Sequence, residues 1–160
     1  LHHGCVKVGE GDWDIEYLRM PLADAVRVVR ALWAAGQARD WPAARALLHD
    51  ELQAVWWTSG ERFAGADAFI AVNARYPEGW VAHVIEVSML RDGRAMSIVR
   101  VDHPPQRFFA TSLYLVDDGI ITGVDEYWAT LAEPPAWRSL GSICGCSRFD
   151  PLADPRARVP

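Results

Sequence analysis

The second half of the chain alternates apolar and polar residues in the way that is typical of antiparallel β-strands. Four stretches carry this pattern and are rich in β-branched and aromatic residues: 80–90, 94–102, 107–116 and 120–128. Asp92-Gly93 precedes the second stretch and Asp118-Gly119 joins the last two, and both dipeptides favour tight hairpin turns. The pattern therefore predicts a meander of four strands.

The first half of the chain repeats its apolar residues at helical spacing. Proline is favoured at the start of a helix and glycine just after its end, so we predict a first helix from Pro21 to Gly36. The remaining predicted elements are a helix at 42–48, a strand at 52–57, a loop at 58–64 and a helix at 66–75.

This order of elements predicts one α+β domain. A curved antiparallel sheet would wrap around three helices to form a cystatin-like cone over residues 21–138. We predict an N-terminal arm over residues 1–20 and an irregular C-terminal extension over residues 139–160. A curled sheet closed by helices leaves an inner cavity with one mouth, and a small apolar molecule would bind there.

Composition and charge narrow the function classes. The chain has 160 residues, of which 51% are hydrophobic and eight are Trp, so it is long enough for one core. Its net charge of −5 is spread without a basic run, which argues against binding to nucleic acid or to an anionic membrane surface. No apolar run is long enough to span a bilayer, and no secretory signal pattern is present. We therefore expect a cytoplasmic protein.

The cysteines predict neither disulfides nor a metal site. Cys5, Cys144 and Cys146 are an odd count confined to the two ends, which argues against a disulfide framework and favours a reducing compartment. Together with His3 they would form a zinc site only if the two ends met, and Cys144-Gly145-Cys146 does not have the usual C-x-x-C spacing. No metal or cofactor is predicted.

Charged residues stand among the apolar positions of these strands, and three of them are candidates for chemistry. Arg100, Asp102 and Glu126 cost free energy if they are buried without partners. Two carboxylates bridged by an arginine form an acid/base device, because burial and mutual repulsion raise the pKa of one carboxyl while the other stays ionised. The alternative is an ion pair of Arg100 with Asp102 on the solvated face, with Glu126 paired to Arg107. Both faces of these strands are partly apolar, so the pattern does not decide which face points into the cavity.

The order of elements, with TSGERFAG before the third helix and GVDEYW as the last strand, resembles the nuclear transport factor 2-like superfamily and its SnoaL-like group. The resemblance covers roughly residues 22–138. It implies the cone fold, and it leaves the activity open because the superfamily includes hydrolases, isomerases, cyclases, dehydratases and non-catalytic binding proteins.

A sharper resemblance concerns the charged residues. Limonene-epoxide-hydrolase-like enzymes carry Arg-x-Asp on a middle strand and a carboxylate on the last strand, and Arg100-Val101-Asp102 and Glu126 resemble that pattern. The family has Asp where this chain has Glu126, and its early strand has a Tyr and an Asn where this chain reads Trp56-Trp57-Thr58-Ser59. The resemblance implies cofactor-free acid/base chemistry on a lipophilic substrate, either epoxide hydrolysis or proton transfer as in ketosteroid isomerases and polyketide cyclases.

Other residues complete the predicted site. His83 is a candidate general base or proton relay, and the alternative is an ordinary core or rim histidine; His103, at a strand end, is expected to be exposed. Large side chains on the strands would bind the substrate, or else fill the core. The predicted substrate-binding residues are Trp57, Met96, Ile98, Phe108, Ala110, Val124 and Trp128.

Three function classes remain open. The first is the cofactor-free enzyme, the second a non-catalytic binding module for a small apolar ligand, and the third an interaction domain that forms a homodimer through the outer face of the sheet. Converging carboxylates and arginine in the cavity would favour the first, a dry apolar cavity the second, and a filled cavity with an exposed apolar sheet the third.

Overall fold

The computed structural model describes residues 15–138 and Asp150, with side chains described from Asp24 onward. It has three helices: α1 (Ile15–Ala38), α2 (Trp41–Ala46) and α3 (Ala66–Ala74). Six strands form one sheet: β1 (Leu48–Trp56), β2 (Glu61–Ala64), β3 (Val81–Met89), β4 (Ala95–His103), β5 (Gln106–Asp117) and β6 (Ile120–Thr130). The sheet is curved and unclosed, so the predicted α+β fold with three helices is confirmed.

The sheet is mixed, and this differs from the antiparallel sheet that we predicted. Its strand order is β2-β1-β6-β5-β4-β3, and every neighbouring pair is antiparallel except β1 and β6. In that parallel pair Trp56 lies beside Glu126. No hairpin turn links β1 to β6, so turn residues carried no information about their relative direction.

The two faces of the sheet are distinguished by burial. On β4, Ala95, Ser97, Val99 and Val101 are buried, whereas the residues between them are only half-buried. Trp33 of α1 donates from Nε1 to Ser97 Oγ at 3.1 Å, so the helices cover this side of the sheet. We call the helix-covered side the inner face and the opposite side the outer face.

The core fills most of the inner face. Its fully buried members come from α1, from α3 and from four strands: Val29, Leu52, Ala54, Ala66, Ala95, Tyr114 and Ile121. Burial of such side chains is the main favourable contribution to folding, at roughly 25 cal/mol per Å² of apolar surface. A second, smaller cluster, Trp80 with Val99 and Val101, lies where the sheet opens, and half-buried aromatic residues surround it.

Two predicted boundaries are wrong. Helix α1 begins at Ile15, not at Pro21, because a proline costs one helical hydrogen bond without necessarily ending the helix. The predicted loop at 58–64 contains β2, which forms a hairpin with β1 through a turn that ends at Gly60, with a positive φ of 73°. Four residues are too few for an alternation to be recognised. The three cysteines and His3, and residues 139–149 and 151–160 of the predicted C-terminal extension, lie outside the described part of the chain.

The outer face carries apolar side chains that are half-buried or exposed. Leu115 and Trp57 are each 54% exposed, and the Trp57 ring stacks on Tyr127 at 6.3 Å between centroids with an interplanar angle of 5°. The homodimer through this face stays a prediction. In the described residues, no helix has the length and hydropathy needed to cross a membrane.

Candidate functional site

A cavity of about 490 Å³ opens at one end of the inner face. The ends of β1, β4 and β6, the starts of β2 and β5, and residues of α1 and α3 surround it. Six of its thirteen described lining residues are aromatic: Trp33, Trp56, Tyr76, Trp80, Phe108 and Trp128. We call it the aromatic cavity. Its volume lies within the range of about 300–1,000 Å³ that is usual for small-molecule sites.

Ring-to-ring contacts fix the walls of the aromatic cavity. Trp128 contacts Trp56 edge-on at 6.2 Å and Phe108 edge-on at 6.5 Å, and Tyr76 contacts Trp80 in the same way at 6.5 Å. Edge-to-face pairs at these distances are favourable and restrict ring rotation. The shape of the cavity is therefore set by contacts among its own side chains.

Arg39 holds the Trp80 wall in place. Its guanidinium carbon lies 3.6 Å from the centre of the Trp80 ring, and its Nη2 donates to the Trp80 carbonyl at 3.0 Å. Its Nε donates to the Glu78 carboxylate at 3.0 Å. One arginine at the end of α1 thus fixes both the backbone and the ring of the segment that leads into β3.

The polar groups of the aromatic cavity lie mainly at its rim. Thr58, Ser59, Glu61 and Thr130 line it and are exposed to solvent, and Ser59 Oγ donates to the Glu61 carboxylate. Asn73, further in, already donates to the Phe69 carbonyl at 2.8 Å. A bound molecule would therefore place an apolar body among the rings and polar substituents toward the mouth.

Glu126 is buried on the inner face, next to the aromatic cavity. Glu126 is only 3% exposed, and its carboxylate accepts hydrogen bonds from Ser112 Oγ at 3.0 Å and from Trp128 Nε1 at 3.3 Å. The indole of Trp56 also favours the charged form, although its buried Nε1 makes no hydrogen bond. Burial outweighs these donors and raises the pKa of the Glu126 carboxyl.

Glu126 does not line the aromatic cavity itself. It lines a second cavity of about 50 Å³, together with Tyr114 and residues of all three helices. Trp33 and Asn73 contribute to the walls of both cavities. The carboxyl is thus adjacent to the larger cavity and would contact a bound molecule only if the side chains between the two cavities moved.

Arg100 and Asp102 lie on the outer face, away from Glu126. In the register of the sheet, Ser97 pairs with Ser112, and Ser112 pairs with Glu126, so these three share the inner face. Arg100 is three residues beyond Ser97 and therefore points to the opposite side. The expectation that the two carboxylates and the arginine converge in one cavity is wrong.

On the outer face these residues form an ion-pair cluster. Arg100 Nη2 donates to Asp102 Oδ2 at 3.1 Å, and His83 Nε2 lies 3.1 Å from the same oxygen. Arg107, the cross-strand partner of Asp102, approaches its other oxygen at 3.6 Å. For Arg100 and Asp102 this is the ion pair that we gave as the alternative to the catalytic prediction, and it places His83 beside the Asp102 carboxylate on the outer face.

The predicted substrate-binding residues divide into three groups. Phe108 and Trp128 line the aromatic cavity, whereas Ala110 and Val124 are buried on the inner face outside its lining. The outer-face residues Trp57, Met96 and Ile98 do not line it. Trp33, Tyr76 and Trp80 also line the aromatic cavity, but they were not among the predicted substrate-binding residues. In the sequence these residues are marked only by their large aromatic side chains, which lie near the predicted ends of helices and the predicted start of a strand.

No protein-family model matches the chain, and no curated protein matches it significantly. Solved structures match its fold. A proposed ketosteroid isomerase from Kribbella flavida is 23% identical with a TM-score of 0.67, and the match covers 81% of this chain and 97% of that one. An NTF2-like protein of unknown function from Burkholderia xenovorans is 20% identical with a TM-score of 0.62, over 73% and 91%. An LEH-like epoxide hydrolase from M. tuberculosis is 23% identical with a TM-score of 0.55, over 68% and 84%. The chain therefore has the NTF2-like fold, as its sequence resemblance implied.

Proposed function

We propose that this protein binds a flat, lipophilic small molecule in the aromatic cavity. The observation that carries the proposal is a space of about 490 Å³ bounded by six aromatic rings, with its polar groups at the rim. Indole and phenyl faces offer large apolar contact areas to a flat ring system at little cost in side-chain entropy. Among the described residues, the side chains that line the cavity include no lysine, arginine or histidine and do include the Glu61 carboxylate, which favours a neutral molecule over an anion.

A neutral bicyclic probe tests this binding function. We expect 2-methylnaphthalene to bind the wild-type protein with a micromolar dissociation constant, measured by isothermal titration calorimetry with the probe in the cell. Val72→Trp fills part of the cavity from α3 and should weaken binding at least tenfold. The matched control, Ala71→Trp, adds the same ring to an exposed position of α3 and should bind like wild type. Absence of binding to wild type, or unchanged binding by Val72→Trp, would contradict the proposal.

A second candidate function is proton transfer by Glu126 without a cofactor. The observation that favours it is a buried carboxyl with a raised pKa beside the aromatic cavity. A buried carboxyl beside a bound molecule can donate or accept a proton, and general acid or base catalysis of this kind contributes roughly 10²–10⁴-fold in rate. A proton on the carbon next to a ring ketone is the kind of group that it would move, and the isomerase and cyclase side of the family resemblance agrees with this chemistry.

Deuterium exchange of a bicyclic ketone distinguishes catalysis from binding alone. If Glu126 acts on the bound molecule, wild type should accelerate exchange of the α-protons of 2-tetralone in heavy water, followed by proton NMR. Glu126→Gln should abolish the acceleration while it keeps the affinity for 2-methylnaphthalene within about threefold. Equal exchange by both proteins would leave binding as the function and remove the catalytic candidate.

Epoxide hydrolysis by Arg100 and Asp102 is not part of this proposal, because both side chains belong to the outer-face cluster. We expect Asp102→Asn to leave the affinity for 2-methylnaphthalene within twofold, since no contact of Asp102 involves the aromatic cavity. Its free energy of unfolding should fall by about 1 kcal/mol, because two arginines lose a partly exposed counter-charge. Urea denaturation and calorimetry measure the two effects. A large loss of affinity with unchanged stability would place Asp102 in the binding site.

A further inference from the structure

We propose that Tyr76 is the polar contact of the aromatic cavity, and that His103 holds its hydroxyl so that it accepts hydrogen bonds from the bound molecule. The cavity would then select flat molecules that carry a hydroxyl or amino donor over those that carry a ketone. This inference rests on the proposed binding function and names the class of ligand more closely.

Tyr76 lines the aromatic cavity, and His103, which is not among the lining residues, contacts the Tyr76 hydroxyl. Tyr76 follows α3 and lines the cavity, and its hydroxyl oxygen lies 2.9 Å from His103 Nδ1. The two rings meet edge-on at 5.2 Å between centroids. His103 ends β4 and is half-buried, not exposed as we expected. Its Nε2 lies 3.2 Å from the carbonyl oxygen of Glu78.

The Glu78 carbonyl fixes which ring nitrogen carries the proton. A carbonyl oxygen only accepts, so the contact at His103 Nε2 requires an N–H at that atom. In the neutral imidazole the other nitrogen, Nδ1, then has a lone pair and accepts. Burial raises the pKa of the Tyr76 phenol, so the phenol keeps its proton and donates it to His103 Nδ1.

The Glu78 carbonyl, which sets the direction of the hydrogen bond between Tyr76 and His103, is held in place by its neighbours. Arg39 pairs with the Glu78 carboxylate and donates to the Trp80 carbonyl, on either side of Gly79. Gly79 has a φ of 104°, which glycine adopts readily and other residues rarely, and its backbone runs against the His103 ring. The imidazole is thus oriented by a segment that is itself anchored to the end of α1.

A phenol that donates its proton to histidine presents only lone pairs to a ligand. A ligand O–H or N–H directed at the Tyr76 oxygen forms a hydrogen bond, and the bond from phenol to imidazole polarises that oxygen and strengthens it as an acceptor. A ligand ketone at the same place meets a second acceptor, so both groups lose their hydrogen bonds to water without replacement. The hydroxyls of Thr58 and Thr130 at the rim can both donate and accept, so they favour neither class of ligand.

Three naphthalenes of similar size test the selectivity: 2-naphthol as donor, 2-acetylnaphthalene as acceptor and 2-methylnaphthalene as apolar reference. In calorimetric titrations, wild type should bind 2-naphthol about tenfold more tightly than the reference, as one net hydrogen bond implies, and 2-acetylnaphthalene more weakly than 2-naphthol. Tyr76→Phe should bind the reference unchanged and lose the preference for 2-naphthol. Tyr127→Phe, which removes a phenol hydroxyl from the outer face, and Glu61→Gln, which removes the rim carboxylate, should both keep it.

His103→Phe separates the role of His103 from that of Tyr76. This variant keeps a ring beside Tyr76 but frees the phenol proton, so it should bind 2-acetylnaphthalene several-fold more tightly than wild type does. If wild type and Tyr76→Phe show the same preference for 2-naphthol, or if Glu61→Gln loses that preference, the inference is overturned. In either case, binding of 2-methylnaphthalene by wild type still supports the proposed binding function. Failure of wild type to bind any of the three would overturn the proposed function and this inference with it.

Discussion

Replacement of Tyr114 by alanine is expected to lower the free energy of unfolding by about 3–5 kcal/mol. The Tyr114 side chain is fully buried in β5 at the centre of the inner face. Its hydroxyl accepts from Trp33 Nε1 at 2.9 Å and shares a hydrogen bond with Ser97 Oγ at 3.1 Å, so it also joins α1 to the sheet. The substitution leaves a large cavity and removes this link, and urea denaturation followed by circular dichroism measures the loss.

Two control variants separate the causes of this loss. Tyr114→Phe keeps the ring and removes the hydroxyl, and it should cost only about 1 kcal/mol, because Trp33 Nε1 still has Ser97 Oγ at 3.1 Å as acceptor. Leu115→Ala, next along β5, removes an outer-face side chain that is 54% exposed and should cost less than Tyr114→Ala by at least 2 kcal/mol. Similar losses at positions 114 and 115 would contradict the assignment of the two faces.

Glu126→Gln is expected to change how stability depends on pH. The pKa of the Glu126 carboxyl is raised by burial in the folded state, so the folded protein binds this proton more tightly than the unfolded chain does. Stability contributed by the protonated carboxyl is present below the unfolded-state pKa, near 4.5, and is lost as the pH rises through the folded-state pKa. The contribution of this carboxyl to the free energy of unfolding therefore changes by at most about 1.4 kcal/mol per pH unit.

The measurement is the difference in unfolding free energy between wild type and Glu126→Gln, obtained by urea denaturation at several pH values from 4 to 8. As the pH rises, the unfolding free energy of wild type should fall relative to that of Glu126→Gln. Asp50→Asn provides a control of opposite sign, because Arg45 lowers the pKa of Asp50 and that stabilisation is lost as the pH falls. A pH-independent difference for Glu126→Gln would contradict the burial of an ionisable carboxyl at this position.

The fold follows from the sequence because its strongest signals are local. The Asp-Gly turns and the alternation of β3 to β6 identify strands whose partners are adjacent in the chain. The parallel pairing of β1 with β6 joins distant segments, and no local pattern specifies it. The short strand β2 and the start of α1 at Ile15 are likewise set by contacts outside their own residues.

The site was harder to predict because both faces of the sheet are apolar. On β4, Met96 and Ile98 of the outer face are as hydrophobic as Val99 and Val101 of the inner face, so alternation gave two equal choices. A shift of one residue exchanges the faces, and therefore Arg100 was grouped with Glu126 although the register separates them. The pairing of Tyr76 with His103 joins segments 27 residues apart and left no trace in the sequence pattern.

One titration tests the aromatic cavity most directly: proton–nitrogen NMR spectra of the tryptophan indole groups during addition of 2-methylnaphthalene, with signals assigned by single Trp→Phe substitutions. Binding in the aromatic cavity should shift the Nε1–H signals of Trp33, Trp56, Trp80 and Trp128 with one common dissociation constant. The signal of Trp57, whose Nε1 donates to Asp125 on the outer face, should not move. A shift confined to Trp57, or no shift of the four cavity signals at saturating probe, would contradict ligand binding in this cavity.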